Sequence, residues 1–337
     1  MSLLPSNQLQ RNYRGGARIG AFRNDPALAG EGPEDWVGSA TTALASELDG
    51  LSRFPDGRLL RDAIQEDPVG FLGEAHVRRW GPDPAVLVKL LDAGERLLVH
   101  FHPGRAFARA HLSLGFGKTE AWIIIAAEPG AVVHLGFAEA VTQASVDRWV
   151  QTQDVGAMLS AMRELPIGSG DVILVPAGTP HAIGAGILLC ELQEPTDLSV
   201  FMEWEQPGAG DGSEHLGLGW PTVLSALERD ATDIAPLTGR AGGSAPAAAV
   251  ENLLPDAAQP YFRAEKTTGR AELEPGFAVL VVPEGQATVG SERGQQLALA
   301  AGDTALVPQA AGATLIEGDA TIIRCRPPAP DAGDGQW

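Results

Sequence analysis

Residues 97–120, LLVHFHPGRAFARAHLSLGFGKTE, decide the fold and hold most of the candidate site. His100 and His102 lie one residue apart in an apolar run, and the stretch ends at Glu120. Side chains two positions apart on a β-strand point to the same face, so residues 97–101 predict a strand that carries both imidazoles on one side. A second apolar strand, in residues 170–181 (GDVILVPAGTPH), leads through a turn to His181. Three histidines and one glutamate form a ligand set that divalent metals accept.

Each histidine taken alone has an ordinary alternative, because a single His on an apolar strand is more often a packed or hydrogen-bonded side chain. The histidines together with the residues around them indicate a metal site more specifically than any single histidine does. Five residues separate Gly94 from His100, and a Pro-x-Gly-x-x turn precedes His181. The two segments resemble the motifs of the cupin superfamily, G-x5-H-x-H…E and G-x5-P-x-G-x2-H. The insertion at 103–119, between the second histidine and the glutamate, departs from the usual spacing.

Longer segments resemble a narrower family, the type I mannose-6-phosphate isomerases. They are VKLLDAGERLLVHFHP (88–103), GKTEAW (117–122), GDVILVPAGTPHAIGAGILLCELQ (170–193), YRGGARIGAF (13–22) and PEDWVGS (33–39). The resemblance covers most of residues 10–326. It implies a metal-dependent isomerase that interconverts mannose 6-phosphate and fructose 6-phosphate through an enediol, with one divalent ion, Zn²⁺, and no organic cofactor.

Carried over from that family, the metal ligands are His100, His102, Glu120 and His181. His100 stands where the family usually has Gln, a change that keeps ligation possible and makes the set more like that of a generic cupin. Lys118 matches the family's active-site lysine, so Lys118 and Glu120 are the predicted catalytic residues. The alternative for Lys118 is a surface lysine.

Phe201 marks a second departure, because related bacterial enzymes carry an arginine at this position. A phenyl ring can neither bind phosphate nor activate water, which leaves three functions open. They are the phosphosugar isomerase, an isomerase or epimerase of a related and unphosphorylated sugar, and a metal-containing carbohydrate-binding protein without catalysis. A cupin oxygenase fits the ligands but not the family resemblance.

The net charge of the 337-residue chain limits the kinds of molecule that it is expected to bind. A net charge of −19 argues against nucleic acids and anionic membranes. The expected partner is a small sugar or sugar phosphate, and the expected assembly is a monomer or homodimer. Arg14, Arg18 and Arg105 are candidate substrate contacts, with solvated surface charge as the alternative for the first two. Two cysteines and no signal-peptide pattern predict a cytoplasmic protein.

The predicted fold is mainly β with added helices, in two cupin-type β-sandwich or jelly-roll units. Residues 1–90 form N-terminal strands and a helical segment, in which the spacing of apolar residues predicts a helix over 84–91. Residues 91–205 form the metal-binding catalytic cupin, with a helical insertion at 144–164. A loop, short helix and linker fill 206–257. Residues 258–326 form a degenerate cupin, since GDTALVP at 302–308 repeats GDVILVP at 170–176 and no histidine follows residue 215. A disordered tail is predicted over 327–337.

Overall fold

A computed structural model describes residues 1–30, 32–44, 46–204, 212–241, 250–333 and 335. Antiparallel strand pairs dominate it, and short helices lie before and between them, so the predicted mainly β fold with added helices is confirmed. In the described residues no helix combines the length and apolarity needed to cross a membrane. Residues 206–211 and 242–249 of the predicted linker lie outside the described part of the chain.

The strands of the N-terminal two thirds hold the candidate site. They are β1 (Ser2–Leu3), β2 (Gln8–Leu9), β3 (Glu34–Val37), β4 (Leu87–Ala93), β5 (His100–Phe101), β6 (Glu120–Ala127), β7 (Val132–Phe137), β8 (Met162–Pro166), β9 (Asp171–Val175), β10 (His181–Ile183), β11 (Ile187–Gln193) and β12 (Val200–Phe201).

The remaining strands lie in the C-terminal third. They are β13 (Thr238–Arg240), β14 (Val250–Asn252), β15 (Arg263–Thr268), β16 (Ala271–Leu273), β17 (Ala278–Glu284), β18 (Gln286–Ser291), β19 (Gln296–Ala300), β20 (Thr304–Val307), β21 (Thr314–Gly318) and β22 (Thr321–Arg326).

The helices are short. They are α1 (Arg18–Phe22), α2 (Leu60–Glu66), α3 (Pro68–Leu72), α4 (Glu74–Trp80), α5 (Arg105–Leu112), α6 (Gln143–Thr152), α7 (Val155–Ala161) and α8 (Trp220–Val223). Helix α7 begins where it does because the Asp154 carboxylate accepts a hydrogen bond from the amide of Ala157, which satisfies one of the free donors at the helix start.

Two sheets carry the metal-site motifs. One has seven strands in the order β13-β9-β6-β11-β4-β3-β2, and the other has five in the order β12-β5-β10-β7-β8. Two more sheets lie towards the C-terminus, in the orders β1-β20-β17-β22-β15-β14 and β16-β21-β18-β19. The apolar faces of the seven-stranded and six-stranded sheets share one core, in which Cys190 of β11 and Cys325 of β22 are free thiols with sulfurs 3.9 Å apart.

The helix predicted over 84–91 is wrong, because residues 87–93 form strand β4 in the middle of the seven-stranded sheet. All seven residues of β4 are buried, so both faces of the strand are covered. Such a strand shows no alternation of apolar and polar residues, and its apolar run cannot be distinguished from a buried helix by periodicity. The predicted division between residues 90 and 91 therefore falls inside one strand. The other predicted domain boundaries stay predictions.

The N-terminal strands belong to two different sheets. Strand β1 pairs with β20 of the six-stranded sheet, whereas β2 and β3 extend the seven-stranded sheet. The predicted disorder of the tail is also wrong for residues 327–333. The Arg79 guanidinium donates hydrogen bonds to the carbonyls of Pro330, Ala332 and Gly333, which fix this part of the tail against α4.

Candidate metal centre and active site

Strand pairing brings the three motif histidines together. His100 on β5 lies directly opposite His181 on β10, and His102 follows two residues after His100. The ring centroids of His100 and His181 are 4.1 Å apart, and those of His100 and His102 are 5.0 Å apart. One ring nitrogen from each histidine lies within 4.8 Å of the others, and all three side chains are buried. The described residues thus include a three-histidine group that can bind a metal ion.

Backbone carbonyls set the orientation of all three rings. The Nδ1 atoms of His100, His102 and His181 lie 2.7, 2.7 and 2.9 Å from carbonyl oxygens of residues 98, 198 and 179. A carbonyl oxygen can only accept, so each Nδ1 carries the proton and each Nε2 keeps a free lone pair. Hydrogen bonds of this kind fix the tautomer that a metal requires.

Glu120 completes the group from the facing sheet, at the first residue of β6. Its Oε2 lies 3.1 Å from His102 Nε2, and its Oε1 lies 3.4 Å from His181 Nε2. The Trp122 indole donates to Oε1 at 3.0 Å and holds the carboxylate in place. Glu120 Oε2 and His181 Nε2 are buried without a hydrogen-bond partner among the described residues. Lone pairs that face one another in this way fit a shared cation.

Burial and neighbouring cations keep the ligands in the protonation states that a metal needs. Burial, helped by Lys118, lowers the pKa of His102 to about 3. Burial likewise lowers the pKa of His181 to about 3, although Glu120 opposes the shift. For Glu120, burial would raise the pKa, but Lys118 and His102 outweigh it and hold the pKa well below its ordinary value. At neutral pH the imidazoles are therefore neutral and the carboxylate is charged.

Lys118 lies beside this group, as the resemblance implied, and it is buried rather than on the surface. Its Nζ donates to His102 Nε2 at 3.0 Å and lies 3.2 Å from Glu120 Oε2. Ligation of a metal by His102 would replace the first of these contacts. Phe201 on β12 pairs with His100 across the strands, and their ring centroids are 5.7 Å apart.

A cavity lies beside His100, Lys118 and Glu120. Four charged residues missed by the sequence reasoning also line it: Arg11, Glu34, Lys89 and Glu191. Lys89 Nζ lies 3.3 Å from Glu34 Oε2 and 3.8 Å from Glu191 Oε1, which is also 4.0 Å from Lys118 Nζ. Burial raises the pKa of Glu191 to about 7, with Lys89 opposing the shift and Glu120 adding to it. A group with this pKa is partly protonated at neutral pH.

A signal for two of these residues was present in the sequence. Lys89 and Glu191 each interrupt an apolar run, VLVKLLDA at 86–93 and ILLCELQ at 187–193. Charged side chains are almost never fully buried unless they are paired, so a charge inside a buried strand predicts a partner. Arg11 gave no comparable signal, because it lies in a polar segment, QLQRN at 8–12, and interrupts no apolar run.

The three arginines predicted as substrate contacts lie elsewhere. Arg14 is 86% exposed and pairs with Glu95. Arg18 pairs with Asp92 and Glu128, and Arg105 pairs with Glu194. None of them is among the described residues that line the cavity beside His100, Lys118 and Glu120. Their role in substrate binding stays a prediction.

Several known proteins that are similar to this chain in sequence or in fold are named mannose-6-phosphate isomerases. The chain is 28% identical over 247 residues to the mannose-6-phosphate isomerase of Streptococcus mutans, an alignment that covers 71% of this chain and 72% of that enzyme. It is 36% identical over 112 residues to the mannose-6-phosphate isomerase ManA of Bacillus subtilis, covering 33% of this chain and 34% of that enzyme.

A crystal structure of the mannose 6-phosphate isomerase from Bacillus subtilis superimposes with a TM-score of 0.75 at 22% identity, over 96% of this chain and 98% of that one. This likeness establishes the fold over nearly the whole chain. No family model matches the sequence. The resemblance to mannose-6-phosphate isomerases that the motifs predicted is thus confirmed by similarity in sequence and in fold.

Proposed function

We propose that this chain is a metal-dependent aldose–ketose isomerase that interconverts mannose 6-phosphate and fructose 6-phosphate through an enediol. One observation carries the proposal: His100 and Glu120 of a buried three-histidine, one-glutamate group line the same cavity as two buried lysines and a carboxyl group of raised pKa. Proton transfer between neighbouring carbons needs this combination of an electrophile and groups that exchange protons near neutral pH. The names of the similar proteins add independent support.

The proposed metal is Zn²⁺, held by His100, His102, Glu120 and His181. Imidazole and carboxylate ligands suit zinc, and a site with protein ligands on one side can leave a position open for substrate. When bound, the ion would polarise the substrate carbonyl and stabilise the negative charge that develops on its oxygen. Trp122 and the carbonyls behind the imidazoles support the ligands.

Lys118 and Glu191 are the proposed groups that handle protons and charge. Glu191 exchanges a proton readily at neutral pH because its pKa is about 7. In its ionised form it can accept the proton that leaves one carbon and return it to the next. The Lys118 ammonium, close to Glu120 and Glu191, can donate a hydrogen bond to a substrate oxygen. Glu120 acts in catalysis through its position as a ligand.

The space beside these groups is about 30 Å³, which is room for a water molecule and not for a hexose. Side chains that line this space, among them Leu98, Ile183 and Phe201, must therefore move when substrate enters. Such movement is common in enzymes that exclude water from a reactive intermediate.

An unphosphorylated sugar is the second candidate substrate, and one observation favours it. Every cation that lines the cavity among the described residues already has a carboxylate neighbour: Arg11 has Asp197, Lys89 has Glu34, and Lys118 has Glu120. A phosphate dianion would find no uncommitted positive side chain there, and Phe201 supplies none. The cytoplasmic location and the choice between monomer and homodimer stay predictions from the sequence.

The test is an isomerisation assay of the zinc-loaded chain with mannose 6-phosphate, mannose and lyxose, together with deuterium uptake into the sugar from heavy water. We expect turnover of at least one sugar, and we expect Lys118→Met to lower kcat by about 100-fold or more, the usual cost of losing a hydrogen-bond donor to a developing oxyanion. Lys266→Met is the matched control, since Lys266 is a half-buried lysine on β15 outside the cavity. Sugar binding with neither turnover nor exchange would instead support the non-catalytic carbohydrate-binding function.

A further inference from the structure

Glu34 is a buried carboxylate of strand β3 that lines the cavity beside the proposed metal ligands. Its Oε1 accepts a hydrogen bond of 2.9 Å from the Tyr13 hydroxyl and lies 3.3 Å from Arg11 Nε. Its Oε2 accepts a hydrogen bond of 2.8 Å from the Trp36 indole and lies 3.3 Å from Lys89 Nζ. Neighbours on both oxygens therefore fix this carboxylate in the wall of the cavity.

Glu34 carries its negative charge at neutral pH. Burial would raise its pKa, but the positive charges of Arg11 and Lys89 outweigh burial and hold the pKa well below its ordinary value. The Tyr13 hydroxyl stays protonated, because burial and the Glu34 charge raise its pKa well above the ordinary value. Tyr13 thus acts as a neutral donor to Glu34 and adds no second negative charge.

The Lys89 ammonium lies between two carboxylates because its strand is central. Strand β4 pairs with β3 on one side and with β11 on the other, and Lys89 is directly opposite Trp36 and Glu191. Opposite residues share a face of the sheet, so the ammonium can reach both Glu34 and Glu191. It lies 3.3 Å from Glu34 and 3.8 Å from Glu191, and the Trp36 ring centre is 4.8 Å from Nζ. The closer contacts are those from β3.

Glu191 is left without a hydrogen bond as a result. Its Oε1 is buried with no hydrogen-bond partner among the described residues. The ammonium groups of Lys89 and Lys118 lie 3.8 and 4.0 Å away, which is beyond hydrogen-bond range. The other charged groups that face it are Glu120 and Glu34, and both oppose its ionisation. A carboxyl group in these surroundings can take up a proton near neutral pH.

We infer that Glu34 is a positioning residue, which holds the Lys89 ammonium away from Glu191 and so leaves Glu191 free to exchange a proton. The inference rests on the proposed function, which gives Glu191 its part in proton transfer and gives Glu34 none. Without the charge of Glu34, Glu191 would be the nearest carboxylate to Lys89 and would form a buried ion pair with it. A carboxylate held in such a pair is a weaker base.

The experiment measures the ionisation of Glu191 by infrared difference spectroscopy of the zinc-loaded chain as the pH is varied across neutrality. The carbonyl band of the protonated carboxyl group is assigned by its loss in Glu191→Gln. We expect Glu34→Gln to lower the midpoint of this titration by about one pH unit or more, the usual effect of an opposite charge beside a carboxylate. The same shift should appear in the rise of kcat/KM with pH, which a merely structural role would not move.

Lys89→Met shows whether the ammonium transmits the effect. It should raise the Glu191 midpoint, because the Lys89 charge opposes the effect of burial. In the Lys89→Met background, Glu34→Gln should lower the midpoint by much less than it does in the wild type. Glu265→Gln is the matched control, since Glu265 is a half-buried carboxylate on β15 that pairs with Arg324 outside the cavity, and it should leave the midpoint unchanged.

Three results would overturn the inference: an unchanged or raised midpoint in Glu34→Gln, an unchanged midpoint in Lys89→Met, or a full shift from Glu34→Gln in the absence of Lys89. If Glu34→Gln does not fold, Glu34→Asp decides, because it withdraws the carboxylate from Lys89 and should shift the midpoint downwards by a smaller amount. The infrared titration needs no turnover. Absence of turnover therefore counts against the proposed function, whereas an unchanged midpoint counts against the role of Glu34.

Discussion

Replacing Phe201 by arginine should improve the use of mannose 6-phosphate. Phe201 lies on β12 opposite His100, half-buried at the wall of the metal-centre cavity. The sequence resemblance places an arginine at this position in related bacterial enzymes. The substitution therefore adds one positive side chain next to the proposed metal ligands and leaves those ligands unchanged.

The size of the effect follows from the charges already present. Arg11 is bound to Asp197 through two hydrogen bonds of 3.1 and 2.8 Å, so it has little capacity to bind a second anion. Lys89 and Lys118 are likewise engaged with carboxylates. A new guanidinium bound to substrate phosphate should gain about 1.5 to 3 kcal/mol, the usual value for a charged hydrogen bond. That gain corresponds to about 10- to 150-fold in kcat/KM.

The assay compares kcat/KM of the wild type and Phe201→Arg, both zinc-loaded, on mannose 6-phosphate and on mannose. Phe201→Leu is the control, because it reduces the bulk of the side chain without adding charge. If the arginine acts on the phosphate, the gain appears with mannose 6-phosphate and is absent with mannose.

Two results would refute this reasoning. Efficient turnover of mannose 6-phosphate by the wild type, unimproved in Phe201→Arg, would show that the phosphate is held by other residues. An equal improvement in Phe201→Leu would show that the ring blocks entry and that charge is irrelevant.

Three further predictions concern the metal centre and its neighbours. His181→Ala should weaken metal binding by more than about 100-fold, because loss of a residue that merely supports a metal ligand already weakens affinity by up to about 100-fold. Elemental analysis after dialysis measures the metal that remains bound. In a plot of kcat/KM against pH, the wild-type value should rise through about pH 7 as Glu191 ionises. This rise should be absent from the pH profile of Glu191→Gln. The metal-free chain should lose unfolding free energy between pH 7 and 5, and Glu191→Gln should lose about 2 kcal/mol more than the wild type, as measured by urea denaturation.

The sign of the stability change follows from proton uptake. Between pH 7 and 5, histidines with an ordinary pKa of 6.5 take up protons when unfolded. His100, His102 and His181 stay neutral when folded, because burial holds the pKa of His100 well below 6.5 and those of His102 and His181 at about 3. Each then costs about 2 kcal/mol of stability at the lower pH. Glu191 acts in the opposite direction, because its folded pKa of about 7 exceeds the ordinary 4.5 and the folded state gains the proton. It offsets about 2 kcal/mol.

Each of these predictions has a contrary outcome. His111→Ala is the control for metal binding, because His111 lies exposed on α5, and equal metal content in His181→Ala and His111→Ala would remove His181 from the ligand set. A pH profile of Glu191→Gln that keeps its rise near pH 7 would assign that rise to another group. The same stability loss in the wild type and in Glu191→Gln would show that Glu191 is ionised across this range.

The sequence by itself determined the identity and spacing of the motif residues. His100 and His102 had to share a side of the chain because of the two-residue period of a strand, and the turn before His181 was visible as a run of Pro and Gly. These are local properties, so the strand that carries His100 and His102 could be predicted from the residues themselves. The grouping of His181 with that pair was implied by the resemblance to the cupin motifs. The repeated Gly-Asp…Val-Pro segments are likewise local.

Which charged side chains contact one another could be determined only from the tertiary structure. Strand β4 was mistaken for a helix because burial on both faces removes the alternation that identifies a strand. Lys89 on that strand then meets Glu191 on β11, its partner in the sheet register, about a hundred residues later in the chain. The pKa of Glu191 depends on that long-range contact and on burial, and so does the pairing of Arg11 with Asp197. Because electrostatic interactions depend on distance in space and on exclusion of water, periodicity along the chain cannot reveal them.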